Sequence, residues 1–335
     1  MSKWDNYEYK ARPNPKANRP RTKDRPQHKE AIKALVIAVD RGRYTTVIST
    51  DSKDEHEVTA MRAKELRKEA IVPGDIVALV GDTSGTEGSL ARIVRIEQRR
   101  NFLRRSGDDT DKQERILVAN VDNLLIVTAA AEPEPRTGLI DRMIVAAIAA
   151  EIKPSLCVTK TDLATATALR EHYEPLGVKV FESFMHDGKV NADSLKKLKD
   201  VLQGKVSVLA GHSGVGKSTL TNTLSGSDRS VGHVNETTGR GRHTTSSTLA
   251  VQLKNGGWLI DTPGIRSFGL AHVNRDDILN GFPEILQATT ECEKGCLHNA
   301  EATNCGIDTL LSKSPEDARL ASRVDSLRRL LKNLS

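Results

Sequence analysis

Between Ala31 and Arg105 the apolar positions fall in short runs, broken at near-regular intervals by glycine, aspartate and proline. ALVIAVDRGRYTTVIST puts two runs on either side of a DRGR turn, and EVTAMRAKEL, PGDIVALVGD and GSLARIVRIEQR follow. Short, evenly spaced strands with this punctuation predict a small closed or sandwiched β unit. A Greek-key barrel of the OB type fits the spacing, with another small barrel or sandwich as the alternative. From Ile116 the pattern changes. NLLIVTAA (123–130), SLCVT (155–159), VKVFES (178–183), KVSVLAG (205–211) and WLIDTPG (258–264) read as buried strands, and GLIDRMIVAAIAAE (138–151) reads as a helix. Strands alternating with helices predict a mostly parallel sheet covered on both faces. At the far end Leu320, Val324, Leu327 and Leu331 form one apolar stripe at helical spacing. Ser314 is placed to cap that helix, Pro315 to open it, and Glu316 and Asp317 to meet the positive end of its dipole. The expected whole is a multidomain α/β chain: an arm over 1–30, a barrel over 31–110, an α/β unit over 111–272 and a helical segment over 273–335.

Composition adds limits. Of 335 residues 37% are hydrophobic and 28% charged, which is the balance of a globular protein with real cores. No apolar run reaches the length of a membrane helix, and the first twenty residues carry no apolar stretch of the secretory kind. No membrane association is therefore expected. The net charge is +6, and its excess gathers at the front. Residues 1–30 hold nine Lys or Arg against four acids, with prolines at 13, 15, 20 and 26. Such a segment is expected to lack fixed structure, and serves either as a solubilising tail or as an arm along a phosphate backbone. Aromatic side chains for stacking on bases are scarce in the barrel, mainly Tyr44 and Phe102. Any nucleic-acid contact there falls to charge: Arg41, Arg43 and the pairs at 99–100 and 104–105.

The chemistry concentrates in four places. Strand KVSVLA runs into Gly211, His212, Ser213, Gly214, Val215, Gly216, Lys217, Ser218 and Thr219, and a helix-compatible stretch follows. This is G-x-x-x-x-G-K-[ST] in the strand–loop–helix setting it requires. Glycines let backbone N–H groups close around phosphate oxygens, Lys217 reaches the β- and γ-phosphates, and Ser218 binds Mg²⁺. Asp261 ends an apolar strand and opens DTPG; it supports Mg²⁺, and Gly264 can present its N–H to a γ-phosphate. The stretch between them, TTGRGRHTTSSTLA, suits a switch loop, with Thr244 and Thr245 as magnesium candidates. Thr159, Lys160, Thr161 and Asp162 follow strand SLCV, where open α/β sheets bind ligands. A carboxylate at Asp162 accepts from both guanine N1–H and the exocyclic amine, a pair that adenine lacks, and the Lys160 stem can cover the base. Finally, Cys292, Cys296, His298 and Cys305 form C-x₃-C-x-H-x₆-C, a Cys₃His set suited to one structural Zn²⁺. Three of the four cysteines lie in this cluster, which points to a reducing cytosol and a metal rather than a disulfide frame. Cys157, inside a strand, reads as an inert buried thiol.

The base-reading segment precedes the phosphate loop, the reverse of the ordinary order. With TKTD, then FESFMHDG as second base loop, then the P-loop, GRGRHTT and DTPG, the chain resembles the circularly permuted, ribosome-associated GTPases of the TRAFAC class. The resemblance spans nearly the whole chain. It implies GTP hydrolysis to GDP and phosphate, the small ribosomal subunit and its rRNA as partners, a role in late maturation of that subunit, Mg²⁺ with the nucleotide, and a cytoplasmic monomer. A GTP-regulated rRNA-binding module with incidental turnover is the alternative. Three positions depart from what the family and related GTPases show. Thr159 stands where the guanine motif usually has Asn, the zinc spacers are one residue shorter and one longer than usual, and Ile265 occupies the place where many GTPases keep a water-orienting Gln. His243 is the candidate to act in its stead, alongside Lys217 as the other catalytic residue.

Overall fold

The computed structural model describes residues 28, 30–49, 52–66, 69–105, 115–186, 189–191, 193–226, 249–261, 270 and 273–332. The barrel is built from β1 (Ile32–Asp40), β2 (Arg43–Ile48), β3 (His56–Arg62), β4 (Ile76–Gly81) and β5 (Ala91–Ile96). Arg41 and Gly42, both at positive φ, make the two-residue turn between β1 and β2, matching the twist a tight hairpin needs. The strand order β1-β2-β3-β5-β4 closes when β4 pairs back onto β1, with Ile32–Leu35 opposite Leu79–Ile76. Closure rules out a sandwich. β3 and β5 run parallel and the remaining neighbours antiparallel. Alternate residues Ala34, Val36, Val58, Ala60, Val77, Leu79 and Ile93 fill the interior. Tyr44 belongs to that core at 4% exposure, so it is withdrawn from any base-stacking role.

A hairpin of β6 (Phe102–Arg105) and β7 (Arg115–Ala119) joins the barrel to the second sheet. The expected boundary at residue 110 falls in its connection, outside the described residues. Arg99 corrects a second expectation. Arg99 grips the fully buried Asp75 through two nitrogens, at 2.7 and 2.8 Å, and Arg100 pairs with Asp122 at 2.9 Å. Asp122 also accepts the Val206 N–H. Arg99 is thus committed within the barrel, while Arg100 links the barrel to Asp122 with its side chain 62% exposed.

The second sheet holds β8 (Asn123–Ala129), β9 (Lys153–Thr159), β10 (Lys179–Glu182), β13 (Val206–Gly211) and β15 (Trp258–Asp261), all parallel, with β14 (Leu249–Gln252) antiparallel at its side. The short pair β11 (Met185–His186) and β12 (Lys189–Val190) lies apart from it. Every residue of β8 is buried, as a central parallel strand requires. Leu124 and Ile126 face α1 (Thr137–Ala149), while Leu125 and Val127 face α3 (Lys196–Leu202) and α4 (Lys217–Ser225). α2 (Thr167–Tyr173) flanks β9 and β10. The spatial order is β10-β9-β8-β13-β15-β14, and β14 then pairs with β1 of the barrel, Leu249 opposite Ala38. One eleven-stranded sheet therefore runs from β10 into the barrel. From β8 the chain first builds outward to β9 and β10, then returns to lay β13 on the other side. The reversal between β8 and β13 is the point where open α/β sheets bind ligands at strand carboxyl ends.

α5 (Arg275–Asn280), α6 (Pro283–Thr289), α7 (Gly306–Lys313) and α8 (Ala318–Lys332) pack behind α1. Gly281 permits the approach: a Cβ there would lie 2.6 Å from a Val145 methyl. Val324, Leu327 and Leu331 of the α8 stripe are buried, and Leu320 packs against them. The start of α8 differs from expectation. Ser314 closes α7 by donating its N–H to Leu311, and the helix begins three residues on from Pro315. Asp317 caps it, accepting the Leu320 N–H at 3.0 Å. That bond, with Arg319 nearby, holds the Asp317 carboxyl below its usual pKa. Residues 314–317 form a turn closed by the Asp317 N–H donating to Ser314 O, so the cap passes to Asp317 at the helix start. Among the described residues no helix is long and apolar enough to cross a membrane.

Candidate functional site

β13 delivers the phosphate loop to the carboxyl edge of the sheet. Gly214 and Gly216 both take positive φ, +82° and +87°, which turns the backbone into a cradle. Among the described residues no side chain caps the N-terminus of α4. Its first N–H groups are thus presented to a ligand, with the positive end of the dipole behind them. Lys217 folds back over the loop, donating to the carbonyl oxygens of Gly211 at 2.8 Å and His212 at 2.7 Å. Burial lowers its pKa, and Asp261 opposes that shift. Asp261 is opposite Leu209 in the β13–β15 register, so the carboxylate ends its strand beside the loop. Ser218, the first-turn hydroxyl, is exposed. A carboxylate and a hydroxyl flanking a phosphate cradle are the donor set for Mg²⁺ with a nucleotide.

The base-reading segment reaches the same edge from β9. Thr159 ends the strand with its hydroxyl 2.6 Å from the Val215 carbonyl oxygen and 3.2 Å from that of Thr128. TKTD and the phosphate loop, separated by some fifty residues of chain, are thus in direct contact. Asp162 accepts the Met185 N–H at 3.2 Å, Thr161 donates its N–H to Ser183 O at 3.4 Å, and the Ser183 N–H goes to Val158. The predicted second base loop is in this way laced to the first. Val127 also approaches so closely that a Cβ on Gly211 would lie 2.2 Å from its carbonyl oxygen.

One participant escaped the sequence reading. Residues 130–133, after β8, touch both loops. The Ala130 N–H donates to Thr159 O, Lys160 Nζ reaches the Glu132 carbonyl, and Pro133 Cδ lies 3.9 Å from where a Cβ on Gly214 would sit. The signal was its position, just past a parallel strand at the order reversal, which only the strand order exposes. Gly264, His243, Thr244 and Thr245 lie outside the described residues. Cys157 is fully buried, and desolvation pushes its thiol up to about 12, an inert group as expected.

The metal cluster stands in the C-terminal part. The ligand atoms of Cys292, Cys296, His298 and Cys305 all lie within 4.8 Å of one another. Cys292 Sγ is 3.9 Å from Cys305 Sγ, and His298 Nδ1 is 3.6 Å from both sulfurs. A tetrahedron with Zn–S of about 2.3 Å and Zn–N of about 2.0 Å has edges of about 3.5 to 3.8 Å, so the residues fit zinc. The altered spacers are absorbed by the loop: His298 and Asn304 take left-handed backbone and Gly295 an open turn. Cys292 Sγ also accepts the Gly306 N–H at 3.1 Å, placing it at the N-terminus of α7, where the dipole favours a thiolate. Burial, reinforced by Arg275, lowers the His298 pKa and keeps the ring in the neutral, ligating form. Burial raises the Cys305 thiol to about 11, a proton that a metal would have to displace.

The C-terminal part is locked to α1 by a buried cluster the sequence did not reveal. Arg323 Nη1 lies 2.6 Å from Asp141, Nε 2.8 Å from Glu284 and Nη2 3.0 Å from Gly281 O, with its guanidinium 4.0 Å above the Phe282 ring.

Residues 96–271 match the RsgA GTPase family. The small ribosomal subunit biogenesis GTPase RsgA of Ectopseudomonas mendocina is 39% identical over 274 residues, covering 79% of this chain and 75% of that protein. Its namesake in Pseudomonas syringae pv. tomato is 38% identical over 311 residues, covering 90% and 85%. Among solved structures, the circularly permuted GTPase YloQ superposes with a TM-score of 0.65 at 24% identity, over 92% of this chain and 96% of that one. YjeQ from Thermotoga maritima gives 0.61 at 22%, over 90% and 98%; these two show the shared fold. The barrel, the permuted order of phosphate and base loops and the extent of the matches lead to one conclusion: this chain belongs to the RsgA GTPase family.

Proposed function

We propose that this protein is a GTPase that binds the small ribosomal subunit and acts late in its assembly, hydrolysing GTP to GDP and phosphate when docked. The observation that carries this reading is the meeting of TKTD with the phosphate loop: Thr159 touches Val215, two residues before Lys217. In this reading Gly211 to Thr219 cradle the phosphates, Lys217 neutralises the β- and γ-oxygens, and Asp162 reads guanine, with Lys160 over the base. Ser218 and Asp261 would hold Mg²⁺, with Thr244 and Thr245 as further candidates; bound there, the ion supplies charge to the leaving phosphate. Gly264 would sense the γ-phosphate, and His243 would orient the attacking water, since Ile265 has no group to do so. The working divisions are the arm at 1–30, the barrel at 31–110, the GTPase unit at 111–272 and the zinc-binding segment at 273–335, in a cytoplasmic monomer. The relatives' name, small ribosomal subunit biogenesis GTPase, supports the partner.

The test is co-sedimentation with purified ribosomal subunits under GTP, GDP and a non-hydrolysable analogue, with released phosphate measured alongside. Small subunits are expected to retain the protein with GTP or the analogue, to release it with GDP, and to stimulate turnover about 10³-fold or more. Stimulation below tenfold, or equal binding under all three nucleotides, would refute it. His243→Ala is expected to abolish the stimulated rate while leaving nucleotide affinity intact; unchanged turnover removes His243 from the role.

A further inference from the structure

Arg136 holds a position that its own helix disfavours. It is the N-cap of α1, its side chain makes no capping bond, and no acid follows in the first turn. Helix N-termini favour Ser, Thr, Asp or Asn at the cap and anions in the first turn, because the positive end of the dipole repels cations. A second cation crowds the same end of α1: Arg329 Nη2 lies 3.2 Å from where a Cβ on Gly138 would sit. The Arg136 side chain is exposed, and among the described residues it has no hydrogen-bond or ion-pair partner, Glu134 included. Its charge is therefore not compensated by any described residue.

The fold does place it beside the phosphate loop. Pro133, Glu134 and Arg136 line a small cavity together with Gly211, His212 and Val215. Pro133 Cδ also lies 3.9 Å from where a Cβ on Gly214 would sit. Two residues of this connecting loop are prolines, at 133 and 135, and each fixes its own φ. Lys160 Nζ further pins the Glu132 carbonyl. The arginine side chain thus starts from a stiff base at the rim of the cradle. Cleaving a triphosphate places new charge on the transferred group and on the leaving oxygen. Lys217 is the one Lys or Arg within residues 211–219, and Ile265 adds no polar side chain.

We propose that Arg136 is a catalytic residue of GTP cleavage: its guanidinium reaches across the rim of the phosphate loop and neutralises charge developing on the γ-phosphoryl group and the β–γ bridging oxygen. This rests on the reading of the site as a GTP site. In the step it assists, the oxygen of a water molecule forms a bond to the γ-phosphorus. The bond from that phosphorus to the bridging oxygen breaks, its electron pair stays with GDP, and the water's proton leaves on the phosphate. Five N–H donors in a fixed fork suit two oxygens of one phosphoryl group, and the guanidinium keeps its charge throughout the working pH range. The placement also accounts for the disfavoured cap. An arginine there weakens α1 slightly, and an anion arriving beside it offsets the repulsion.

The experiment uses the full chain and GTP, over a range of small-subunit concentrations up to saturation, and reads single-turnover phosphate release beside GDP affinity. Arg136→Ser removes the cation and supplies a better N-cap, so α1 should be no less stable. Phosphate release at saturating subunits is expected to slow about 10²-fold, while GDP affinity stays within about threefold of the parent. Arg136→Lys keeps the charge without the fork and should fall between the two. Aluminium fluoride with GDP mimics the transferring phosphoryl group. Its binding relative to GDP alone should be at least about tenfold weaker in the Ser variant than in the parent. Release from Arg136→Ser within about threefold of the parent rate would overturn the proposal. So would a loss that vanishes as subunits approach saturation, because the arginine would then serve docking. A fall in GDP affinity as large as the fall in rate would also sink it, since the charge would then act on the bound nucleotide and not on its cleavage. If Arg136→Ser does not fold, Arg136→Gln is read by the same limits. A parent protein that neither binds GDP nor cleaves GTP would instead refute the GTP-site reading, so the two failures remain distinct.

Discussion

Replacing Arg323 by methionine should loosen the C-terminal helices from the GTPase unit. The arginine and its partner Asp141 are 2% and 1% exposed, so the remaining carboxylate would have neither cation nor water. Removing one member of such a pair costs about 3–5 kcal/mol. Glu284 is 28% exposed and regains hydration, so its lost contact adds no more than about 1 kcal/mol. Loss of the cation above the Phe282 ring adds about 1 kcal/mol, partly recovered by the methionine thioether. The sum is about 4–6 kcal/mol. It should appear locally, because α8 is attached through α1, α5 and α7. Hydrogen exchange read by mass spectrometry should show residues 318–332 losing protection while β8 and β13 keep theirs. Urea unfolding followed by circular dichroism should acquire an early phase. The double variant Arg323→Met/Asp141→Leu should recover at least half of the loss, because an apolar pair of similar volume can replace a buried ion pair. A cost below about 1 kcal/mol, or simple additivity in the double variant, would refute the reasoning.

Four further outcomes are expected. Elemental analysis should find one zinc per chain; Cys305→Ser should lower that occupancy and expose residues 292–313 to protease, and full occupancy in the variant would remove Cys305 from the ligand set. Lys217→Ala should reduce turnover by about 10²- to 10³-fold in a phosphate-release assay, and Asp162→Asn should abolish the preference for GTP over ATP in competition binding. His172, 9% exposed, has its pKa lowered chiefly by burial, with Asp141, Glu284, Arg319 and Arg323 around it and no hydrogen bond to Nε2 among the described residues. Its neutral form is the folded one, so stability is full above the unfolded histidine pKa of about 6.5 and falls as the pH drops toward the lowered folded value. His172→Gln should flatten that part of the stability–pH curve, and an unchanged slope would exclude the residue as its source.

How much was legible without coordinates depended on the range of the interaction. The β8, β9 and β13 strands were visible because burial on both faces leaves a continuous apolar run, α1 because its apolar stretch has a helix's length, and α4 because a helix follows the phosphate-loop motif. The cap of α8 was misplaced from Asp317 to Ser314 because two capping residues stand three apart, and only the helix start decides between them. Arg99 read as exposed charge because nothing local reveals a partner such as Asp75, twenty-four residues away.

By itself the sequence determined the chemistry available: a phosphate cradle, an acid in the TKTD segment, a Cys₃His set suited to zinc and the permuted order in which they occur. These depend on residue type and short spacing, which the chain carries in one dimension. Only the tertiary structure decided that the strand order reverses between β8 and β13, that Thr159 reaches Val215, that β14 pairs with the barrel, and that Arg323 is buried against α1. Each of these joins residues distant in sequence through hydrogen bonds or desolvated charge, whose strength depends on separations in space that composition and periodicity do not contain.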